Sequence, residues 1–166
     1  NFRTYVFEKF CFWNVCACFI LNMIIDGKKE AQLLRNEVKK EIQSIKSKSN
    51  KVPGLTVILI GDFAPSQIYV KNKEKNAKEV GINSEIVKYS KKVSEEEVLK
   101  KIKELNDKDD VSGILVQLPL PPQINKEKII NAISPFKDVD GFHPINVGNL
   151  SSGYNAIVPC TPLGCL

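Results

Sequence analysis

The chain has 166 residues, 43% of them hydrophobic and 26% charged, and a formal net charge of +5 at pH 7. These values exclude a disordered or membrane-filling protein and predict one globular domain, with room for the start of a second. The surplus positive charge comes from lysines interleaved with glutamates on predicted helices, and the arginines are Arg3 and Arg35 alone. We therefore expect solvated helix faces and no nucleic-acid partner.

The cysteines lie near the two ends of the chain, at positions 11, 16, 18, 160 and 165, and His143 is the single histidine. They form no C-x-x-C pair, which argues against a zinc site, so we expect no bound metal and a reduced intracellular setting. Cys160 and Cys165 are expected to be small buried side chains.

Residues 1–22 form an apolar extension that we exclude from the predicted fold. Arg3 and Lys9 precede an apolar run from Phe10 to Ile25, which is the layout of a targeting segment. The run is shorter than the roughly 20 clean apolar residues that a membrane-spanning helix needs. A packed extension or a wrongly assigned start is equally compatible with it. We expect a cytoplasmic protein or, if the extension is a targeting signal, one in an organelle such as a mitochondrion or plastid.

Strands and helices alternate from Asp26 onward. Apolar stripes at helical spacing predict amphipathic helices, and a continuous apolar run ending in Gly61 predicts a strand buried on both faces. Such alternation builds βαβ units, so the predicted fold class is α/β: a three-layer αβα domain with a mostly parallel sheet. The predicted elements are a helix over Lys28–Lys48, a strand over Leu55–Ile60, a helix over Pro65–Gly81, a strand over Ser84–Tyr89, a helix from the Ser94 cap to Asn106, a strand over Val111–Leu118 and a short helix from the Asn125 cap to Ile133. No convincing long element is predicted after Gly148.

The helix over Pro65–Gly81 carries a suggestive polar stripe. Ser66, Tyr69 and Lys73 fall at i, i+3 and i+7, so their side chains project from one face. They also begin at the carboxyl end of a buried strand, where open α/β sheets bind ligands. A phenol and an amine one turn apart can share a proton or orient a water. A solvated lysine-rich surface helix is the competing interpretation.

Two later segments add polar groups. Gln117 ends an otherwise apolar strand, and its amide must find partners where the strand leaves the core. The turn that follows the Asn125 helix contains two carboxylates, Asp138 and Asp140, of which Asp138 is expected to be a turn or surface residue. His143 is expected to serve packing rather than chemistry.

These segments match one protein family in order and spacing. From about Met23 to Leu166 the chain closely resembles the bifunctional methylenetetrahydrofolate dehydrogenase/methenyltetrahydrofolate cyclohydrolase family. The segments that carry the resemblance are IIDGK (Ile24–Lys28), VILIGDFAPSQIYVKNKEKNAKEVGI (Val57–Ile82), GILVQLPLP (Gly113–Pro121), KDVDGFHPINVG (Lys137–Gly148) and PCTPLG (Pro159–Gly164).

The resemblance implies roles for particular residues. Tyr69 matches the tyrosine that packs against and orients the folate, Lys73 the catalytic lysine, and Gln117 the glutamine that hydrogen-bonds this lysine. We therefore expect Lys73 to be the acid/base, tuned by Gln117 and positioned by Tyr69.

The same resemblance implies a set of substrate contacts. Asp140 matches the carboxylate that holds the pterin ring, and Ser66 matches a position beside the tyrosine. Val116 and Leu118 flank Gln117 in a segment that contacts the substrate.

The implied activity is the oxidation of 5,10-methylenetetrahydrofolate by NAD or NADP, followed by hydrolysis to 10-formyltetrahydrofolate, in the one-carbon metabolism that serves purine biosynthesis. The expected partners are tetrahydrofolate derivatives, possibly polyglutamated, and a homodimer is expected for the full-length protein. Residues 23–150 would be the catalytic domain, and residues 151–166 the start of a linker toward an NAD(P)-binding domain that this fragment lacks. No G-x-G occurs in the chain, so we expect no cofactor-binding residue in it.

The same sequence features allow two other interpretations. A short form that binds folate, or is degenerate, without dehydrogenase activity is the main alternative. The Tyr-x-x-x-Lys spacing also occurs in short-chain dehydrogenases, but these need a glycine motif upstream of the dyad, and residues 1–64 contain none.

Overall fold

The computed structural model describes residues 19–20, 23–24 and 26–165 of the chain. The predicted extension over residues 1–22 therefore lies outside the described residues, apart from the backbone of Phe19–Ile20. The helices and strands in chain order are β1 (Phe19–Ile20), β2 (Met23–Ile24), α1 (Gly27–Ser49), β3 (Gly54–Ile60), α2 (Ala64–Val80), β4 (Asn83–Tyr89), α3 (Glu95–Asp107), β5 (Gly113–Val116), α4 (Lys126–Ala132), α5 (Pro144–Ser151) and α6 (Cys160–Cys165).

A parallel sheet of order β4-β3-β5 forms the middle layer, and β1 pairs with β2 in a separate antiparallel hairpin. Every residue of β3 is buried. Leu55, Val57 and Leu59 pack in one core cluster with α1 and α2, whereas Ile58 and Ile60 pack in a second cluster with α3 and α4. Because side chains alternate along a strand, the central strand separates two helical layers. The predicted three-layer α/β fold is confirmed.

The helices begin and end where the sequence places their caps. Asp26 accepts hydrogen bonds from the backbone N–H of Lys28 and Lys29 at the start of α1, and Ser94 accepts one from Glu97 N at the start of α3. Helix α2 has a proline in its first turn and ends at Gly81, whose φ of 93° is the left-handed conformation that glycine adopts most easily. No helix in the described part of the chain is long and apolar enough to cross a membrane.

The last third of the described chain departs from the prediction in two ways. Strand β5 is four residues long, shorter than the predicted strand over Val111–Leu118, and it is followed by a cis peptide bond between Leu118 and Pro119. Two short helices, α5 and α6, were not predicted. Segment 137–138 runs beside β5, with Ile114 N donating to Lys137 O at 2.8 Å. This contact brings the polar turn to the edge of the sheet.

Candidate active site

The three residues of the predicted polar stripe on α2, Ser66, Tyr69 and Lys73, lie in different environments. Ser66 is buried, with 4% of its surface exposed, and Lys73 is partly buried. The Tyr69 side chain, one turn before Lys73, is 48% exposed. The stripe therefore runs from the protein interior to the surface, with the amine at an intermediate depth. The interpretation of α2 as a fully solvated helix is wrong for this face.

Gln117 lies opposite Lys73, and its amide has a defined orientation. The Lys73 ammonium Nζ donates to Gln117 Oε1 at 3.4 Å, while Gln117 Nε2 donates to the carbonyl oxygen of Leu118 at 2.8 Å. Ser66 Oγ donates to the same carbonyl at 3.3 Å. Because the Gln117 N–H group is used on Leu118, its oxygen is the atom that faces the lysine. Gln117 therefore acts as an acceptor toward Lys73.

The environment of Lys73 favours its neutral form. Burial lowers the pKa of the Lys73 amine below its ordinary value, and the negative charge of Asp140 partly opposes this effect. A lysine with a lowered pKa can carry its unprotonated amine closer to neutral pH than a solvated lysine. The geometry thus provides a base of the kind that was predicted for this position.

Asp140 comes from the loop that follows segment 137–138, and it is partly buried. Burial raises the pKa of its carboxyl from 3.8 to about 6, with Lys73 lowering it and Asp138 raising it further. The charges of Asp140 and Lys73 interact through space. The structure therefore brings together side chains that are 67 positions apart in the chain.

A small cleft lies beside Asp140. Its internal volume is about 10 Å³, room for roughly one water molecule, and it lies between β5, the loop after it, α4 and the loop that carries Asp140. Three of the predicted contact residues, Val116, Leu118 and Asp140, line it. Its walls are mainly apolar, with carboxylates at one side. The lining residues are Ile114, Val116, Leu118, Leu120, Ile129, Ile130, Ile133, Asp138, Asp140 and Phe142.

The turn from β3 into α2 does not fit a dinucleotide phosphate group. It reads Gly61-Asp62-Phe63-Ala64-Pro65, with one glycine, a carboxylate and a proline that has no N–H to offer. A pyrophosphate cradle needs several glycines and free backbone N–H groups at the helix start. This turn therefore does not form a pyrophosphate site of that kind.

Several expectations about other residues need correction. Asp138 is only 3% exposed and is not a surface residue, because its carboxylate is hydrogen-bonded within the loop. Cys165 is exposed and free, so the prediction that it is buried is wrong. Cys160 is partly buried and disulfide-bonded, which differs from the reduced thiol that was expected.

His143 is buried, and its Nδ1 accepts a hydrogen bond from Ile145 N at 3.2 Å, which caps α5. This is a structural contact, as expected for a residue that serves packing.

Sequence reasoning did not predict a role for Lys137, which is 7% exposed. A lysine and two aspartates followed by Gly141 are typical of a solvated turn, and only the spacing Asp138-x-x-Gly141 signals a carboxylate-centred turn.

Comparison with known protein families matches residues 25–140 to the family described as tetrahydrofolate dehydrogenase/cyclohydrolase, catalytic domain. A bifunctional protein FolD from Pelagibacter ubique is 62% identical over 143 residues, which are 86% of this chain and 51% of that protein. The chain spans about half the length of the curated relatives it matches.

Solved structures give the same match. The bifunctional FolD enzyme of Campylobacter jejuni, methylenetetrahydrofolate dehydrogenase/cyclohydrolase, superimposes with a TM-score of 0.81 at 47% identity, over 84% of this chain and 50% of that one. The methylenetetrahydrofolate dehydrogenase-cyclohydrolase of Trypanosoma brucei, solved with an NADP cofactor and an inhibitor, superimposes with a TM-score of 0.80 at 34% identity, over 88% of this chain and 49% of that one.

Proposed function

Because the chain belongs to the tetrahydrofolate dehydrogenase/cyclohydrolase family, we propose that it is the catalytic, folate-binding domain of a bifunctional enzyme. The enzyme would oxidise 5,10-methylenetetrahydrofolate to 5,10-methenyltetrahydrofolate with NAD or NADP and then hydrolyse the product to 10-formyltetrahydrofolate. The observation that carries this proposal is the partly buried Lys73 amine, held by Gln117 Oε1 at 3.4 Å and facing the charge of Asp140.

Asp140 would bind the pterin ring. The amidine-like edge of a pterin presents N–H donors, and a carboxylate can accept two of them side by side. With a pKa of about 6, the Asp140 carboxyl is mostly ionised at neutral pH. Donors from the ligand would then replace the water that burial has removed, which favours binding of the ionised form.

Lys73 would act as the base in the hydrolytic step. The methenyl group is cationic, and water that attacks its carbon must lose a proton. A neutral amine can accept this proton and, unlike an ammonium group, does not repel a cationic substrate. Gln117 accepts a hydrogen bond from the amine, so a lone pair of the nitrogen remains available on another side for the water.

The remaining predicted residues would hold the substrate or support the base. The exposed Tyr69 ring lies one turn from Lys73 and can pack against the folate. Ser66 shares the Leu118 carbonyl with Gln117 and so helps to fix the amide orientation. Val116 would contribute an apolar wall to the cleft.

The oxidative step needs a nicotinamide cofactor, which supplies the acceptor for the hydride that leaves the methylene carbon. The Trypanosoma brucei relative was solved with NADP, and we propose NADP or NAD for the protein that contains this chain. The residues described here would contribute folate binding and orientation to that step. The homodimer, the compartment and the domain boundaries stay predictions.

The test of this proposal is Lys73→Met with Lys71→Met as its matched control. Lys71 is two residues away on the same helix and is exposed. We expect Lys73→Met to abolish the hydrolysis of 5,10-methenyltetrahydrofolate, followed by the loss of its absorbance, while circular dichroism shows the wild-type fold. Hydrolysis at the wild-type rate by folded Lys73→Met would contradict the assignment of the base.

The alternative, a folate-binding form without turnover, is separated by a second measurement. Calorimetric titration with 5-formyltetrahydrofolate, a stable reduced folate, is compared for the wild-type chain and Asp140→Ala. Binding that depends on Asp140, without any hydrolysis by the wild type, would identify a binding module. Absence of binding to the wild type would overturn both functions.

A further inference from the structure

Lys137 is a buried lysine whose ammonium group is bound by backbone carbonyls. Its Nζ donates to the carbonyl oxygens of Leu105, Asn106 and Lys108 at 3.0, 2.7 and 2.7 Å. These carbonyls lie at the C-terminal end of α3, where the last carbonyl groups lack the usual helical partner. Two of them accept only a long backbone hydrogen bond, from Lys108 N to Leu105 O and from Val111 N to Lys108 O, both at 3.4 Å. A cation at this end is also favoured by the helix dipole. The start of the loop that carries Asp140 is thus attached to α3.

Asp138, the next residue, organises the interior of the same loop. Its Oδ1 accepts from Gly141 N at 3.1 Å, and its Oδ2 accepts from His143 N at 2.8 Å and from Asn146 Nδ2 at 2.9 Å. The chain therefore wraps around one buried carboxylate. Asn146 also donates to Pro135 O at 2.9 Å, which joins the two ends of the loop.

Asp140 lies between these two attachments. The loop begins at the edge of the sheet, where Ile114 N donates to Lys137 O, and it turns at Gly141, whose φ is +69°. Lys137 binds carbonyl groups of α3, and Asp138 binds N–H groups of the loop itself. Asp138 also raises the pKa of the Asp140 carboxyl through its charge. Their contacts define where the backbone of Asp140 lies.

We propose that Lys137 and Asp138 are positioning residues that hold the Asp140 carboxylate at the cleft, Lys137 by attaching the loop to α3 and Asp138 by setting its shape. This inference rests on the proposed function, in which Asp140 binds the pterin ring. Lys137 and Asp138 use their hydrogen-bonding atoms within the protein, so the folate does not need to contact those atoms. It also makes the C-terminal end of α3 part of the support of the site.

Each residue type suits its task. A lysine ammonium presents three donors in a tripod, which matches three carbonyl oxygens around one nitrogen. A carboxylate presents two oxygens that can accept several N–H groups of a tight turn. The positive and the negative charge are adjacent in the sequence, so both can be buried with little net charge.

The experiment is a double-mutant cycle in the full chain. Binding of 5-formyltetrahydrofolate is measured by calorimetry for Lys137→Met in the wild-type and the Asp140→Asn backgrounds. Asp140→Asn keeps one oxygen acceptor, so its binding stays measurable at high ligand concentration. The matched control is Lys108→Met, whose side chain is exposed at the same helix end. Asn146→Ala removes the hydrogen bonds to Asp138 Oδ2 and Pro135 O without changing the charge of the loop. It is carried through the same cycle and decides the result if Lys137→Met does not fold.

If Lys137 acts through Asp140, Lys137→Met weakens binding by about fivefold or more in the wild-type background and by less than about twofold beside Asp140→Asn, as coupled residues do. Lys108→Met leaves binding unchanged. In the hydrolysis assay the positioning variants raise KM while kcat stays within about twofold, because Lys73 and Gln117 are undisturbed.

Equal effects in both backgrounds, or wild-type binding by a folded variant, would overturn the positioning role. Failure of the proposed function has a different signature: the wild-type chain does not bind the folate, or Asp140→Asn binds it as tightly as the wild type does.

Discussion

The burial of Asp140 predicts that a single substitution will stabilise the ligand-free chain. Its carboxyl has a pKa of about 6 in the folded protein, against an ordinary value of 3.8. This difference corresponds to about 3 kcal/mol between the ionised and the neutral form, with the attraction to Lys73 already included. Because the folded state prefers the neutral acid, stability is lost as the pH rises from about 4 to about 7, where the carboxyl ionises.

Asp140→Asn keeps the shape of the side chain and removes the ionisation. We expect the variant to unfold at nearly the same urea concentration as the wild type near pH 4. Near pH 8 it should be more stable by up to about 3 kcal/mol, which for a chain of this size corresponds to roughly 6 to 12 °C in Tm. The same substitution should weaken folate binding, since the amide offers one acceptor instead of two.

Urea unfolding followed by circular dichroism between about pH 4 and pH 8 measures this effect, with Asp62→Asn as the control. Asp62 is exposed in the loop after β3, so removing its charge should change stability by less than about 0.5 kcal/mol. An Asp140→Asn variant that is no more stable than the wild type near pH 8 would refute the argument from burial.

Two further predictions concern the base and the loop. Gln117→Glu places a negative charge beside Lys73, so the pKa of the amine should rise. The part of the hydrolysis pH profile that depends on the free amine should then move to higher pH. An unchanged profile would contradict the contact between the two side chains. Gly141→Ala should destabilise the chain by more than about 2 kcal/mol, because its φ is +69° and a Cβ would lie 2.5 Å from Ile157 O. The control is Gly153→Ala, where φ is +75° and nothing lies within 4 Å of the added Cβ. It should lower the free energy of unfolding by only about 1 kcal/mol. If urea unfolding gives the same loss for Gly141→Ala and Gly153→Ala, the contact with Ile157 is unimportant.

The alternation of strands and helices could be predicted because it depends on local patterns. The buried run over β3 and the Ser94 cap of α3 each specify an element through side-chain spacing and capping chemistry alone. The short helices α5 and α6 were missed because their apolar and small residues form no helical stripe. The start of α5 also depends on its cap, the buried His143.

The members of the candidate site and the hydrogen bond between Lys73 and Gln117 were expected from the sequence, but the orientation of the Gln117 amide was not. Lys73, Gln117 and Asp140 could be named from residue types and from a family resemblance. Which atom of Gln117 faces the lysine could not, because that choice depends on the Leu118 carbonyl taking the N–H group. The burial of Asp138 could not be predicted either, because the sequence does not distinguish the environments of two aspartates in the same turn.

The sequence by itself determined the alternation of helices and strands from α1 to α4 and the chemical groups at the carboxyl ends of the strands, because these follow from short-range periodicity and composition. The tertiary structure alone decided how deep each group lies, and with it the lowered pKa of Lys73 and the raised pKa of Asp140. It also decided that Lys137 is attached to the end of α3 rather than solvated. Desolvation and hydrogen bonding between distant segments depend on packing, and packing is a property of the folded chain as a whole.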